Sequence, residues 1–379
     1  MLYLDAAATT PVRREALEAM WPYLTGDFGN PSSHHTVGES AARGLARARS
    51  QVAEMLGCRP AEIVFTGGGT EADNLAIKGI ALGRPRGRHI VTTAIEHEAV
   101  LSSIDYLVRT HGFEVSFAPL TAEGLVTPAA LAAVLRPDTT LVSIAHANNE
   151  IGTVQDLEAL TAATRAHRVP FHTDAVQSAG QLPVDVGALG VQALSLSGHK
   201  LGAPKGTGVL FVAGALPLEP VLHGGGQERG RRSGTENVAG AVALGVAASL
   251  VSLSPVSVAA RDDFIAAVLA RVPGAQLTGA DGAPGARRLP RHASFVFPGT
   301  SGESVLLELE RRGVVSSSGS ACAAGSDEPS HVLTALVVPA EVAQTAVRFT
   351  WAADVTAAQL LEVAGLLRES VAAVRSIVA

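Results

Sequence analysis

Short apolar runs recur along the chain, and each is followed by a glycine-rich or polar loop and then by a segment of helical periodicity. Runs of this length between turn residues are typical of buried strands. We predict strands at residues 63–65, 89–92, 114–118, 141–145, 170–173, 193–197 and 209–212. Strands that alternate with helices form a mostly parallel sheet with helices on both faces, so the predicted fold class is α/β.

The longest helical patterns lie near the two ends of the chain. Amphipathic helices are expected at 14–24 and 37–56, and a last helix at about 357–378. The stretch 238–260 carries no charge. Its serines and Pro255 predict a buried helix followed by a linker, because a membrane span would be more uniformly apolar.

The length predicts two domains, since 379 residues exceed the usual size of one hydrophobic core. We expect a large domain over 13–250 that holds the sheet. A smaller α/β domain is expected from 1–12 and 251–379, with the N-terminal stretch packed against the C-terminal part.

The composition favours a cytoplasmic protein that binds neither nucleic acid nor membranes. A net charge of -6 is unfavourable next to phosphate backbones or anionic lipid. The first residues show no basic region followed by an apolar core, so no signal peptide is predicted. Cys58 and Cys322 are too few for a disulfide framework or a four-thiolate metal site. We therefore expect free thiols in a reducing compartment, and no metal.

The loop after the first sheet strand is rich in glycine. It reads Phe-Thr-Gly-Gly-Gly-Thr-Glu-Ala-Asp-Asn over residues 65–74. Glycines such as Gly69 let backbone N–H groups point inward, the next helix adds its positive end, and Thr70 adds a hydroxyl. The loop lacks the Walker A pattern and the dinucleotide fingerprint, so a phosphate monoester suits it best. The alternative is an ordinary strand-to-helix turn.

Further polar residues follow later strands, and ligands of such sheets bind beyond the carboxyl ends of the strands. His97 either stacks on a planar ring or has a structural role. Asn148 and Asn149 either orient ring substituents or form a polar turn. Asp174 ends a buried strand, where a carboxylate needs a cationic or N–H partner. Gln177 follows one helical turn later.

Lys200 comes at the tip of the strand 193–197, among small residues and next to His199. A lysine that is desolvated there loses its proton more easily and can attack a carbonyl. The alternative is a surface lysine in a turn. A phosphate cradle, an acid for a ring nitrogen, a stacking histidine and a strand-end lysine together indicate pyridoxal 5'-phosphate.

The chain resembles the cysteine desulfurases of the NifS/IscS type, within the class V aminotransferase-like group of pyridoxal-phosphate enzymes. The resemblance rests on motifs spread over nearly the whole chain. They are Tyr-Leu-Asp-Ala-Ala-Ala-Thr-Thr-Pro at 3–11, Asn-Pro-Ser-Ser-His at 30–34, the glycine-rich loop and following helix at 65–79, Glu-His at 96–97, Asn-Asn-Glu-Ile-Gly at 148–152, Asp174 with Gln177, Ser-Gly-His-Lys at 197–200, Gly-Gly-Gly-Gln-Glu-Arg-Gly at 224–230, Arg-Ser-Gly-Thr-Glu-Asn at 232–237 and Ser-Ser-Gly-Ser-Ala-Cys at 317–322.

The resemblance implies the fold-type I architecture of these enzymes and a set of cofactor contacts. It implies that Lys200 holds the cofactor covalently and moves protons, and that His97 stacks on the ring and acts as acid or base. Asp174 would pair with the ring nitrogen, and Gln177 and Asn149 would reach the ring oxygen or the substrate. The residues implied to hold the phosphate are Gly69, Thr70, Ser197, His199 and, from the neighbouring subunit of a homodimer, Thr235.

Two further residues are implied to act on the substrate. Arg348 matches the arginine that binds the substrate carboxylate, although an exposed strand-edge arginine is the alternative reading. Cys322 matches the cysteine that receives sulfur. It lies in a run of serine, glycine and alanine over 316–325, which predicts an exposed, mobile loop. Cys58 follows a helix and is expected to be structural.

The implied reaction removes sulfur from L-cysteine, giving L-alanine and a persulfide on Cys322. The persulfide would pass to a protein acceptor in iron–sulfur cluster assembly or tRNA thiolation. A selenocysteine lyase or another class V enzyme, such as an aminotransferase, would share Lys200, Asp174 and His97. A non-catalytic sulfur carrier or scaffold is a further alternative.

Overall fold

The structure, a computed structural model, describes residues 1–253, 256–281, 287–318 and 328–378. The strands of these residues are β1 Leu2–Tyr3, β2 Ile63–Thr66, β3 His89–Thr92, β4 Glu114–Phe117, β5 Thr139–Ser143, β6 Phe171–Asp174, β7 Ala193–Ser197, β8 Gly208–Val212, β9 Gln276–Leu277, β10 His292–Val296, β11 Val314–Val315 and β12 Ala346–Thr350. The helices are α1 Arg14–Thr25, α2 Thr36–Leu56, α3 Gly69–Gly83, α4 Glu98–His111, α5 Pro128–Val134, α6 Leu157–Ala166, α7 Val186–Leu189, α8 Gly198–Leu201, α9 Val238–Ser249, α10 Val256–Arg271, α11 Gly302–Arg311, α12 His331–Ala335, α13 Ala340–Ala343 and α14 Ala357–Val378.

The largest sheet of the described residues has the strand order β2-β8-β7-β6-β5-β3-β4. Its strands are parallel except for β8, which runs antiparallel to both β2 and β7. The predicted α/β class with a mostly parallel sheet is therefore confirmed. The parallel strands end at one edge, where the loops that follow them meet.

The boundaries of β5 differ from the sequence prediction. The strand begins at Thr139, two residues before the predicted apolar run, and ends at Ser143. Thr139 and Thr140 are buried, but their hydroxyls are bonded to the ring of His89 (2.8 Å) and to the carbonyl of Gly87 (2.7 Å). Hydrophobicity alone misses a strand start whose polar groups are satisfied in this way.

The uncharged stretch after residue 238 forms a buried helix, as predicted. α9 is buried along nearly its whole length and packs against α1 and α2. Glycine permits the closest approach, since a Cβ on Gly245 would lie 2.7 Å from the Cα of Ala48. Of the described helices, none unites the length and the apolar character that a bilayer span requires.

A second core surrounds the antiparallel sheet β12-β10-β9 and the helices α10, α11 and α14. The ring of Phe264 meets those of Phe295, Phe349 and Trp351 edge to face. Each such ring pair adds about 0.5–1.5 kcal/mol to the burial of apolar area. Leu4 belongs to this core, and β1 pairs with β11. These separate cores support a division near residue 250, which remains a prediction.

Candidate active site

A cavity of about 940 Å³ lies where the loops that follow the parallel strands meet. Parts of the N-terminal segment and of β12 complete its wall. The predicted site residues that line it are Gly69, Thr70, His97, Asn149, Asp174, Gln177, Ser197, His199, Lys200 and Arg348. Residues from distant parts of the sequence are therefore brought together at one place, and their individual roles stay predictions.

The glycine-rich loop between β2 and α3 forms one end of the cavity. Gly68, directly before α3, has a φ of 151°, which favours glycine. A Cβ on Gly69 would lie 2.9 Å from a methyl group of Val176, so the loop packs this closely only with glycine there. The first turn of α3 leaves backbone N–H groups at the cavity, beside Thr70. Such a helix start suits a phosphate group.

The same loop is held from behind by an ion pair. Glu71 accepts a hydrogen bond from the backbone N–H of Gly67 (2.7 Å) and pairs with Arg232 (2.8 Å). The N–H of Gly67 is therefore already used. The N–H groups of the α3 start are the ones left for an anion.

Asp174 ends β6 and lines the cavity while only 8% exposed. Its carboxylate accepts a hydrogen bond from the backbone N–H of Val176 (2.8 Å). Burial raises the pKa of Asp174, and the nearby His97, that hydrogen bond and Lys200 oppose the rise. A buried carboxylate of this kind is stabilised by a cationic ligand atom, such as a protonated pyridine nitrogen.

Two more buried acids lie close to Asp174, and one of them, Asp73, also lines the cavity. Burial raises the pKa of Glu96 to about 8 and raises the pKa of Asp73 well above its usual range. Asp73 Oδ1 has no hydrogen-bond partner among the described residues. Because His97 and Lys200 favour the charge of Asp174, we infer that Asp174 carries the negative charge while Glu96 and Asp73 remain neutral.

Lys200 lies in the one-turn helix α8, directly after β7. The turn requires Gly198, because a Cβ there would lie 2.1 Å from the hydroxyl oxygen of Thr207. Lys200 Nζ donates hydrogen bonds to the backbone carbonyls of Ala7 and Ala8. The amine is therefore held between the edge of the sheet and the N-terminal segment.

His97 caps the N-terminus of α4. Its Nδ1 accepts a hydrogen bond from the backbone N–H of Ala99 (3.0 Å), so the proton of the neutral ring is on Nε2. Nε2 is then the ring nitrogen that can exchange a proton at the cavity. A structural role and a role towards a ligand are thus compatible in this histidine.

His199 and Gln177 both contact the N-terminal segment. His199 Nδ1 lies 3.0 Å from the hydroxyl of Thr9, and Gln177 donates to the carbonyl of Ala7 (3.1 Å). Burial, followed by the positive charges of Lys200 and Lys205, lowers the pKa of His199 to about 4. His199 is therefore neutral near pH 7 and can offer a hydrogen bond but no charge.

The adjacent Asn148 and Asn149 have different surroundings. The Asn148 side chain donates to the carbonyl of Ile95 (2.7 Å) and accepts from the N–H groups of Glu150 (2.8 Å) and Ile151 (3.0 Å). Asn148 therefore has the turn role that the sequence left open. Asn149 is the amide that remains for a ligand.

Arg348 lies on β12 and is 1% exposed, so it is not an exposed edge residue. Its guanidinium donates from Nη2 to the carboxylate of Asp5 (2.8 Å) and from Nη1 to the carbonyl of Asn149 (3.0 Å). Each Nη carries a second N–H, so the group can still bind a carboxylate at the cavity.

Two predicted site residues are not among the described residues that line this cavity. Thr235 is exposed and does not line it. Cys322 lies outside the described residues. The described residues that precede and follow 319–327 contact the site: Ser317 exchanges backbone hydrogen bonds with Arg348 (2.7 and 3.2 Å), and His331 Nε2 lies 3.0 Å from the carbonyl of Glu96.

Cys58 is a half-buried free thiol. Burial, followed by the charges of Glu62 and Asp185, raises its pKa to about 12. The thiol is therefore protonated and unreactive near neutral pH, which agrees with the structural role expected of it.

Sequence reasoning missed the part that the N-terminal segment plays in the site. Its backbone carbonyls hold Lys200 and Gln177, and the Asp5 side chain holds Arg348. The signal was the motif at 3–11, which carried the resemblance but received no role. A segment whose contribution is mainly backbone carbonyls gives no chemical signal in a sequence.

Comparison with known proteins places the chain in a family. The sequence profile described as Aminotransferase class-V matches residues 2–363. A protein named "Cysteine desulfurase IscS" from Dictyoglomus turgidum is 45% identical over 355 residues, which cover 92% of this chain and 89% of that protein.

Solved structures agree with this assignment. One described as "NIFS-LIKE PROTEIN" has a TM-score of 0.88 and 34% identity, over 98% of this chain and 99% of its own. Another, "SspA in complex with cysteine", has a TM-score of 0.82 and 37% identity, over 92% and 98% of the two chains. The resemblance and the fold-type I expectation are thereby confirmed. The chain belongs to the class-V aminotransferase family and, within it, to the cysteine desulfurases.

Proposed function

We propose that the protein removes sulfur from L-cysteine with the help of pyridoxal 5'-phosphate, giving L-alanine and a persulfide on Cys322. The observation that carries the proposal is the shared cavity of Lys200, Asp174, His97 and Arg348 in a chain of this family. The relative solved with cysteine supports L-cysteine as the substrate.

The described residues suit the proposed cofactor. Pyridoxal phosphate supplies a protonated ring that draws electrons from the substrate carbon to which it is joined. The start of α3 with Gly69 and Thr70, together with Ser197 and His199, would hold its phosphate. Asp174 would hold the ring nitrogen. A buried carboxylate with a raised pKa and a cavity beside it is the complement that this nitrogen needs.

Lys200 and His97 are proposed to move protons. Lys200 would hold the cofactor and, once L-cysteine has displaced it, would take the proton from the substrate Cα at Nζ. His97 would exchange a proton through Nε2, because its Nδ1 is occupied by the N–H of Ala99. General acid–base steps of this kind contribute about 10²–10⁴-fold to rates.

Arg348 is proposed to bind the substrate carboxylate, and Asn149 and Gln177 the polar groups around the ring. The guanidinium is buried, so its hydrogen bonds to a carboxylate are weakly screened by solvent. This contact would fix the orientation of the substrate, with its sulfur at a defined distance from the wall of the cavity.

Cys322 is proposed to receive the sulfur. Its thiolate attacks the substrate sulfur, and a sulfur–sulfur bond forms as the bond between Cβ and sulfur breaks. The electron pair of the broken bond stays on the substrate, Cβ takes up a proton, and Cα regains the proton that Lys200 removed, so that L-alanine is formed and leaves. Cys322 is four residues after Ser318, a span of at most about 14 Å in an extended chain. The contact of Ser317 with Arg348 on the cavity wall supports this reach.

A homodimer is proposed for the intact enzyme. Thr235 is exposed and is not among the residues that line the cavity of its own chain. This placement supports a contact of Thr235 with the phosphate in the neighbouring subunit.

The sulfur is proposed to pass to a protein acceptor of iron–sulfur cluster assembly or tRNA thiolation.

The proposal is tested by incubating the purified protein with L-cysteine and locating added sulfur by mass spectrometry of its peptides. We expect one added sulfur on the Cys322 peptide, together with L-alanine in solution. Cys322→Ala should bind the cofactor and release no sulfide, whereas the matched control Cys58→Ala should behave like the wild type. Sulfur on Cys58 instead, or no L-alanine, would contradict the proposal.

A further inference from the structure

Asp5 is a charged residue beside the cavity to which the proposed reaction gives no role. It follows β1, and its backbone forms a bridge with Thr350 of β12. Arg348 and Thr350 lie on the same face of β12, since alternate residues of a strand share a face. The Asp5 carboxylate therefore lies beside the guanidinium of Arg348, at 2.8 Å from Nη2.

The backbone around Asp5 is held by several hydrogen bonds. The hydroxyl of Tyr3 donates to the carbonyls of Asp5 (2.9 Å) and Thr9 (3.0 Å). The N–H of Ala7 donates to the hydroxyl of Thr350 (2.8 Å). The carboxylate is therefore fixed relative to β12, and it does not depend on a mobile side chain to find the arginine.

We propose that Asp5 is a positioning residue that sets the orientation of Arg348 towards the substrate carboxylate. Asp5 holds Nη2 and the carbonyl of Asn149 holds Nη1, so both ends of the guanidinium are fixed. One N–H of each Nη then remains for the substrate carboxylate, which a guanidinium can bind through two parallel hydrogen bonds. This inference rests on the proposed function, because it concerns the arginine proposed to bind L-cysteine.

Asp5 also balances the charge of Arg348 before substrate is bound. A buried guanidinium without an anionic partner is unfavourable, and such a group rearranges to find another acceptor. Without Asp5 the guanidinium would turn away from the geometry that the substrate carboxylate needs. The protein would therefore bind substrates that carry a carboxylate more weakly.

The test uses the holoenzyme and compares Asp5→Ala with Asp5→Asn. We expect Asp5→Ala to raise the KM for L-cysteine about tenfold and to change kcat less than about threefold, since a hydrogen bond to a charged group accounts for roughly this factor. Asp5→Asn keeps an acceptor for Nη2 and should return KM to within about threefold of the wild type. The absorbance of the bound cofactor should be the same in all three proteins.

A binding measurement separates this inference from the proposed function. Cysteamine is L-cysteine without the carboxylate, and each compound is titrated while the absorbance of the bound cofactor is followed. The wild type should bind L-cysteine more tightly than cysteamine. In Asp5→Ala the ratio of the dissociation constant of cysteamine to that of L-cysteine should be about tenfold smaller. A wild type that releases no sulfur refutes the proposed function, whereas these titrations still test Asp5.

Two controls make the result specific. Tyr3→Phe removes the hydroxyl that holds the turn but leaves the carboxylate. Glu18→Gln removes an exposed ion pair with Arg14 far from the cavity and should match the wild type. An unchanged KM in Asp5→Ala, or an equal rise in Glu18→Gln, overturns the proposal. If Asp5→Ala does not fold, Asp5→Glu serves, because the longer side chain displaces the guanidinium and should raise KM likewise.

Discussion

The two walls of the cavity are built in different ways. On the wall formed by the sheet, key side chains are fixed by near neighbours in sequence: His97 accepts from the N–H of Ala99, and Asp174 from that of Val176. On the opposite wall, Arg348 is fixed by Asp5, which is 343 residues away, and by Asn149, 199 residues away. The supports of His97 and Asp174 lie within single strand–loop units, whereas those of Arg348 exist only when the two cores have come together.

This difference separates chemistry from recognition. The sheet wall holds the groups proposed to bind the cofactor and move protons. His97 and Asp174 have local supports there, whereas the amine of Lys200 is held by the carbonyls of Ala7 and Ala8. The wall of β12 and the N-terminal segment holds the group proposed to bind the substrate carboxylate. Changes in the sheet wall should therefore lower kcat, and changes in the other wall should mainly raise KM.

Lys200→Ala tests the sheet wall most severely. Removing the amine abolishes both the covalent hold on the cofactor and the proposed proton transfer, so we expect kcat to fall at least about 10³-fold. Sulfide release and the absorbance of the lysine-bound cofactor are measured together. Lys78→Ala is the matched control, because Lys78 bonds to Asn74 and stacks on Tyr106 away from this amine. Retained activity in Lys200→Ala would place the chemistry elsewhere.

Asp174→Asn tests whether Asp174, among the three buried acids, carries the negative charge beside the cofactor. The amide cannot stabilise a protonated ring nitrogen, so we expect kcat to fall about 100-fold while the cofactor stays bound. Asp73→Asn is the control, since burial raises the pKa of Asp73 and an amide resembles the neutral acid that we infer there. It should change kcat less than about threefold. Equal losses in both variants would show that the acids act as one unit. Stopped assays of L-alanine formation provide the measurement.

Arg348→Lys tests the second wall. An ammonium ion cannot reproduce the two-point contacts of the guanidinium with Asp5 and Asn149. We expect KM for L-cysteine to rise about 10–100-fold, and kcat to change much less, in steady-state assays of sulfide release. A fall in kcat at unchanged KM would remove the distinction between the two walls. Arg232→Lys, in the ion pair with Glu71 behind the glycine loop, is the comparison variant.

The sheet wall could be predicted from the sequence because its signals are local. Asp174 and Lys200 each follow a short apolar run, and the rule that ligands bind at the ends of parallel strands groups them without further information. The β12 wall gives no such signal. Arg348 lies in an apolar strand, and the partner that fixes it is at the other end of the chain. Its place in the sequence prediction came from the resemblance alone.

Backbone groups and buried polar groups account for most of what the sequence left undetermined. The carbonyls of Ala7 and Ala8 hold Lys200, yet two alanines carry no chemical signal. Glu96 stood beside His97 in a recognised motif, but only the folded structure shows that it is 2% exposed. Its carboxyl is hydrogen-bonded to the nearby hydroxyl of Thr93 and accepts from the N–H of Ala145, which is 49 residues away and follows another strand.

Glu96→Gln gives the smallest expected effect, and it concerns stability. Burial raises the pKa of Glu96 from 4.5 to about 8, so between these pH values the folded protein binds a proton that the unfolded chain has released. The contribution of Glu96 is therefore fully present below pH 4.5 and is lost as the pH rises to about 8. The share of this one group is at most about 1.4 kcal/mol per pH unit.

Glutamine can keep both hydrogen bonds of the neutral acid, because its amide oxygen can accept from the N–H of Ala145 and its NH₂ can donate to the hydroxyl of Thr93. Urea unfolding of the cofactor-free protein at several pH values should show equal free energies of unfolding for Glu96→Gln and the wild type near pH 4. Towards pH 8 the variant should become the more stable of the two. Parallel curves for the two proteins would mean that Glu96 is ionised behind the sheet wall. The negative charge next to the cofactor would then belong to the whole acid cluster, and the assignment of that charge to Asp174 would be wrong.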